Sequence, residues 1–203
     1  MNKLIYCTVT SNHYLFLAIV LAKSIKRADP DAKVFMCLVE EDDSFASPHL
    51  RHFDHVILGK ELGFSNFYRH MFKHNAYEAS GSCKARVMLY ALNTFHYEDK
   101  FVFLDSDMKV FGPFNEIKES LNHHSIILSP HILETGNFEE AFLTSGVFNT
   151  GFFAIKRSEE SYQFLNWWAD RIEKACFNEP DQGFFLEQKW LDHAPVFFDI
   201  NIW

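Results

Sequence analysis

Short apolar runs alternate along this chain with longer stretches of helical spacing. The run Leu4–Thr10 (LIYCTVT) is rich in β-formers and predicts a first strand. In NHYLFLAIVLAKSIKRADP, apolar residues at Tyr14, Leu17, Ala18, Leu21 and Ile25 share the spacing of one helix face. Ser11 or Asn12 can cap its start, Lys23, Lys26 and Arg27 suit its negative end, and Pro30 stops it. KVFMCLV (Lys33–Val39) and HVIL (His55–Leu58) read as further strands, with the acidic stretch Glu40–Asp43 between them. From Asn66 to Phe95 the pattern is helical, with an interruption expected near Ser80–Gly81. KFVFLD is apolar on both faces, as in the centre of a parallel sheet, and a helix-like segment follows Gly112–Pro113. HSIILSP (His124–Pro130) and GVFNTGFFAIK (Gly146–Lys156) predict two more strands. Between Ser158 and Cys176, Tyr162, Leu165, Ala169 and Ile172 mark one face of a helix, and VFFDINIW at the end reads as a strand.

Strand, long helix, strand is the signature of a parallel βαβ unit. With no repeat, low-complexity tract or linker, residues 1–203 are expected to form a single α/β domain. In such a sheet, ligands bind outside the carboxyl ends of the strands. That is where KFVFLDSDMKVFGPF places Asp105 and Asp107, with Ser106 between them. Both side chains of an extended Asp-x-Asp point the same way, and two such charges repel unless a cation lies close. A hard divalent ion, Mn²⁺ or Mg²⁺, prefers oxygen ligands and keeps positions open for diphosphate oxygens. The alternative is a solvated turn that happens to hold two acids.

Composition narrows the classes. At 203 residues, 48% hydrophobic and 17% aromatic, the chain has material for a sizeable core, which excludes disorder as its overall state. A net charge of −8 argues against nucleic acid as the main partner. The longest apolar stretch, from Tyr14, has the length of a core helix, so no transmembrane segment is expected. It also lacks the basic lead of a signal peptide. The four cysteines, Cys7, Cys37, Cys83 and Cys176, are far apart in apolar surroundings and read as reduced core residues. A cytoplasmic location is the expectation. The eleven histidines show no metal-ligand spacing, and His52, His55, His123 and His124 read as surface or strand-edge residues.

Several blocks, in order, resemble the nucleotide-sugar glycosyltransferases of the GT-A fold. FVFLDSDMKVFGPFNEI is similar to their strand, Asp-x-Asp and continuation. FLTSGVFNTGFFAIKRSEESYQFLNWW is similar to the segment whose Asn-x-Gly turn sits against the sugar site. GFFLEQKWLDHAPVFF and the opening IYCTVTSNHYLFLAIVLAKSIKRADPDAKVFMCLVEED complete the match. The resemblance implies a mixed, mostly parallel sheet flanked by helices. It also implies transfer of a sugar from a nucleotide-diphosphate donor to an unknown glycan, lipid or protein acceptor. Haloacid-dehalogenase-type phosphatases also carry an Asp-x-Asp after an apolar strand, but near the start of the domain and followed by other residues than Met108–Lys109.

By this resemblance Asp105 and Asp107 hold the metal. Thr8, Thr10, Lys84, Ser106, Asn149 and Gly151 then belong to the nucleotide-sugar site, Lys84 being preferred over Arg86 as the cation facing the donor. Each has a plainer reading: a strand filler for the threonines, a solvated helix charge for Lys84 and Arg86, a local turn for Asn149. An Asp-Gln pair leading a helix faces the donor sugar in related transferases. By spacing to Lys189–Trp190–Leu191–Asp192 its counterpart here, and so the catalytic pair that the resemblance implies, is Glu187–Gln188, with Asp181–Gln182 in reserve. Glu for Asp is a departure, since the extra methylene displaces the carboxylate by about a bond length. Relatives also continue beyond the counterpart of DINIW. The expectation is therefore a truncated chain with a short or missing acceptor part, or one that works with a partner chain in an oligomer. A catalytically weak nucleotide-sugar-binding domain is the alternative to an active enzyme.

Overall fold

The computed structural model describes residues 3–136 and 138–203. Nine strands and seven helices appear among them: β1 (Leu4–Thr10), α1 (Leu15–Ala28), β2 (Lys33–Leu38), β3 (His55–Leu58), α2 (Phe67–Phe72), α3 (Ala76–Thr94), β4 (Lys100–Leu104), α4 (Asn115–His123), β5 (Ile126–Pro130), α5 (Glu139–Ser145), β6 (Phe148–Lys156), α6 (Glu159–Lys174), β7 (Asn178–Glu179), β8 (Phe184–Phe185), α7 (Ala194–Phe197) and β9 (Ile200–Ile202). Seven strands form one sheet in the order β3-β2-β1-β4-β6-β5-β9, and β7 and β8 make a small hairpin. All neighbours in the large sheet are parallel except β6, which runs against both β4 and β5.

The apolar runs of β1, β2 and β4 are covered on both faces. Ile5, Cys7 and Val9 of β1 join the layer under α3 and α6, while Leu4 and Tyr6 join the layer under α1 and α4. Period-two alternation in a strand buried on both sides sends successive residues into opposite layers. The four cysteines are free and buried in this packing.

Four local expectations need correction. The helical stretch 66–95 breaks at Lys73–Asn75 and not at Ser80–Gly81, which lie inside α3. Asn75 accepts from the backbone N–H groups of Tyr77 and Glu78, and the Glu78 carboxylate reaches back to the Asn75 N–H. This capping box outweighs the Ser-Gly breaker signal. The inner face of α1 is Leu15, Ala18, Ile19, Leu21, Ala22 and Ile25; Ala18, Leu21 and Ile25 lie inside as expected, while Tyr14 and Leu17 are exposed. A 3-10 turn at Asn12–Tyr14 starts the helix later and rotates it, with neither Ser11 nor Tyr14 capping through its side chain. Asp105–Met108 is not extended but a turn, closed by the Met108 N–H on the Asp105 carbonyl at 3.1 Å. The final segment becomes strand only at Ile200, because Ala194–Phe197 form a helical turn before it.

The pairing of β6 also carries an irregularity. Leu128 pairs with Phe153 but the next residue, Ser129, pairs with Asn149, so Thr150, Gly151 and Phe152 of β6 have no partner on β5. Such a bulge reverses the inward–outward alternation beyond it.

Candidate functional site

The strands β1 and β4 end side by side at one rim of the sheet. There Val9, Thr10, Ser11, Tyr14, Tyr77, Lys84, Asp105, Ser106, Asp107 and Glu187 line a cleft of about 140 Å³. Lys84 projects from α3 against the rim, its ammonium 5.3 Å from the centre of the Phe103 ring on β4. It is the cation that meets the end of the strand: its Nζ lies 2.9 Å from Asp105 Oδ1 and 2.9 Å from Glu187 Oε1.

Each partner is held by different means. Asp105 follows the last residue of β4 and keeps one more sheet bond, its N–H donating to the Gly151 carbonyl at 2.9 Å. A Cβ on Gly151 would come within 3.2 Å of Asp105 Oδ2, so glycine lets the carboxylate lie against the β6 backbone. The bulge in β6 turns Thr150 toward α3, where its hydroxyl donates to Glu187 Oε1 at 2.6 Å. Glu187 follows Leu186, whose φ of 53° is a left-handed value that costs a branched side chain energy. Burial of Leu186 in the core, and the Trp168 indole N–H on the Glu187 carbonyl at 3.0 Å, hold that conformation. Gly81 of α3 makes the remaining space, since a methyl there would overlap the Glu187 carboxylate.

The electrostatics follow from this burial. Lys84 is pushed above the ordinary lysine range because Asp105 and Glu187 outweigh its desolvation. Glu187 is drawn below the usual carboxylate range, Lys84 and the Thr150 hydroxyl overcoming burial. Asp105 is raised, by burial first, with Glu187 and Asp107 adding to it against Lys84. Burial also raises the Tyr77 phenol at the cleft wall, and the three carboxylates add to it. Three carboxylates face one ammonium, so the cleft is net acidic.

Of the residues singled out in the sequence, Thr10, Lys84, Ser106, Asp105, Asp107 and Glu187 come together here. Others do not. Thr8 is buried in the strand with its hydroxyl unpartnered, outside the cleft lining. Gln188 points away, donating to the Ser145 carbonyl at 2.7 Å beside His131. Asn149 accepts from the Gly151 N–H at 2.8 Å and serves the local turn. Arg86 pairs with Glu173 and lies over Phe64. Asp181 is exposed in a 3-10 turn. Nothing in the sequence marks Thr150 and Tyr77 for this cleft, and Tyr14 and Gly81 stand out there only as a helix-face residue and a helix break. In the Asn149–Thr150–Gly151 triplet, strand alternation favours the outer two, and only the bulge brings the middle one inward.

No group of three or more His, Cys, Asp and Glu side chains comes together as a metal cage among the described residues. The chemistry of the donor set still fits a hard divalent ion. The Asp105 and Asp107 carboxylates at the open cleft are oxygen ligands, and Mg²⁺-type sites use one or two carboxylates together with substrate phosphates. No described helix is long and apolar enough to cross a membrane.

No protein-family model matches the chain. It is 25% identical over 200 residues to the uncharacterized protein YfnF of Bacillus subtilis (strain 168), covering 95% of this chain and 66% of that protein. Among solved structures it is similar to the glycosyltransferase GlyE of Streptococcus pneumoniae TIGR4, with a TM-score of 0.60 and 17% identity over all of this chain and 45% of that one. A putative nucleotide-diphospho-sugar transferase from Desulfovibrio desulfuricans G20 matches with a TM-score of 0.55 and 10% identity, covering all of this chain and 80% of that one. Core-mannan synthase A from Aspergillus fumigatus, in a Mn/GDP form, matches with a TM-score of 0.51 and 9% identity, covering 100% of this chain and 73% of that one. The chain thus spans less than half of GlyE and about two thirds of YfnF. The mixed, mostly parallel seven-stranded sheet with its flanking helices is the GT-A fold of the nucleotide-diphospho-sugar transferases.

Proposed function

We propose that the chain is a metal-dependent glycosyltransferase domain that takes a sugar from a nucleoside-diphosphate donor. The observation that carries this reading is the acidic cleft at the strand rim, with Lys84 buried between Asp105 and Glu187 and Asp107 at its mouth. A diphosphate entering a cleft of net negative charge is repelled unless a cation accompanies it. Asp105 and Asp107 would hold a Mn²⁺ or Mg²⁺ ion, which would supply positive charge to the diphosphate leaving group. Lys84 supplies a fixed positive charge beside it, already oriented by two carboxylates and therefore needing little reorganisation. Glu187 and Thr150 act on Lys84: their contacts set where its ammonium sits. Ser106 and Thr10 offer polar groups at the cleft wall, and Tyr14 and Tyr77 offer ring surface to a nucleoside or sugar. A neighbouring hollow of about 650 Å³, lined by Ser11, Glu40, Phe67, Met71, Ala76 and Ser80 among others, shares Ser11, Ala76 and Ser80 with the cleft. It gives the donor room beyond the small cleft itself.

Titration calorimetry with UDP, GDP and dTDP sugars, with and without Mn²⁺, tests this reading, followed by a donor-hydrolysis assay. The expected result is metal-dependent binding of one donor class, lost in Asp105→Asn and Asp107→Asn. Failure of every donor to bind in the presence of Mn²⁺ would overturn it. Turnover of a generic phosphomonoester that Asp105→Asn abolishes would assign the acids to a phosphatase instead.

A further inference from the structure

Beyond the cleft, the outer side of α1 is unusual for a helix of a protein of net charge −8. Its exposed positions are Phe16, Leu17, Val20, Lys23 and Arg27, apolar in the first half and basic in the second. The loop after the Asp-x-Asp turn lies along this face, fixed by the Val110 N–H donating to Ser24 Oγ at 2.9 Å. Val20, Lys23, Ser24, Arg27 and Lys109 line a shallow groove of about 220 Å³ between helix and loop. Lys109 Nζ stands 5.0 Å from the centre of the Phe111 ring, which is 88% exposed. On the other flank the Phe16 ring meets His49 at 5.4 Å. Lys23, Arg51 and His49 all act on His52 to hold its pKa down, after burial, so these groups gather at one place.

None of Lys23, Arg27, Arg51 and Lys109 forms an ion pair among the described residues, whereas Lys26, on another side of the same helix, pairs with Asp54. Exposed aromatic and aliphatic side chains beside unpaired cations are the chemistry of contact with an anionic bilayer. The rings enter the headgroup layer while long cationic side chains reach the lipid phosphates. A soluble acidic partner would satisfy the cations but would leave Phe16 and Phe111 without a reason to be exposed. A second copy docking through the same face would set its own Lys23, Arg27 and Lys109 near these cations, which repel.

We propose that the outer face of α1 and the loop 108–111 form a docking surface for an anionic phospholipid membrane. The juxtaposition also has a geometric consequence. Tyr14, just before this helix, and Asp107, just before the loop, both line the cleft, so docking brings the cleft close to the bilayer.

Sedimentation of the full chain with extruded vesicles tests this. One set is phosphatidylcholine alone; the other mixes phosphatidylcholine and phosphatidylglycerol in equal parts. The chain should bind the mixed vesicles and not the neutral ones, and added salt should release it. Each cation near an anionic surface is worth about a fivefold change in partitioning, so Lys23→Glu/Arg27→Glu should weaken binding by at least about 25-fold. Phe111→Ser should also weaken it, without altering the salt dependence. All three positions are exposed, and circular dichroism with a melting curve checks that the variants fold. Equal pelleting with both vesicle sets, none with either, or binding unchanged in the variants would overturn the proposal. A dimer without vesicles that becomes monomeric in the same variants would overturn it too, assigning the face to a second copy.

Discussion

Replacing Lys84 by Met keeps the length of the side chain and removes its charge, leaving two carboxylates facing each other without their cation. The Lys84 and Glu187 side chains are 8% and 5% exposed, so for this pair solvent offers little compensation. Asp105 is 38% exposed, and its share of the interaction is screened. Removing one partner of a buried pair costs about 3–5 kcal/mol, and the screening of Asp105 puts the expectation at the lower end, about 3 kcal/mol at neutral pH. For a domain of this size that is a fall in melting temperature of about 6–12 °C. The pH dependence has a definite sign. In the wild type Glu187 titrates below the usual carboxylate range, so its contribution is present above its unfolded pKa and is lost as pH falls through its lower folded pKa. Without Lys84, burial dominates and raises Glu187, so folding takes up a proton and the variant's deficit shrinks as pH falls. Denaturant unfolding of both proteins at neutral and mildly acidic pH measures this. Lys84→Met/Glu187→Gln should recover most of the loss, because the amide oxygen still accepts from Thr150. A single variant within about 0.5 kcal/mol of wild type, or a deficit that does not change with pH, would refute the reasoning, since a buried charge without its partner cannot be that cheap.

Gly81→Ala gains about 1 kcal/mol of helix propensity, yet its methyl overlaps the Glu187 carboxylate. Overpacking costs about 1–3 kcal/mol, so thermal unfolding should show a net loss, with weaker donor binding by calorimetry. His70 is buried against Ser82, and burial, with its cationic neighbours, holds its pKa down to about 4. Its neutral ring contributes stability above the unfolded value of about 6.5, lost between there and about 4, to a total of about 3 kcal/mol. The stability–pH profile of His70→Gln should be flatter over that window by about this amount.

How much of this site can be read along the chain depends on the range of the interaction. The strand Lys100–Leu104 and the acids after it are legible because a doubly buried strand and a rim position both leave local marks. The resemblance of the block around Lys189–Trp190–Leu191–Asp192 to related transferases, and not a local pattern, singles out Glu187, the acid that the structure brings to Lys84. The break in the long helical stretch is misread because glycine inside a helix looks like a breaker. Here its missing side chain leaves room for a carboxylate more than a hundred positions away in sequence.

Thr150 and Gln188 show the boundary most clearly. Alternation along β6 holds only while its pairing with β5 stays in register, and the bulge exists because of how two strands meet. The inward turn of Glu187 and the outward turn of Gln188 rest on a left-handed Leu186 that core packing holds in place. The sequence by itself determined the alternation of strands and helices, the class of the sheet and the acids at its rim, because these are properties of backbone periodicity and burial within a few residues. Only the tertiary structure decided that Lys84 is the cation between Asp105 and Glu187, that Thr150 supports it, and that Tyr14 and Leu17 fall outside the buried face of α1. Those outcomes depend on bulges, strain and packing between segments far apart in the chain, and no local pattern encodes them.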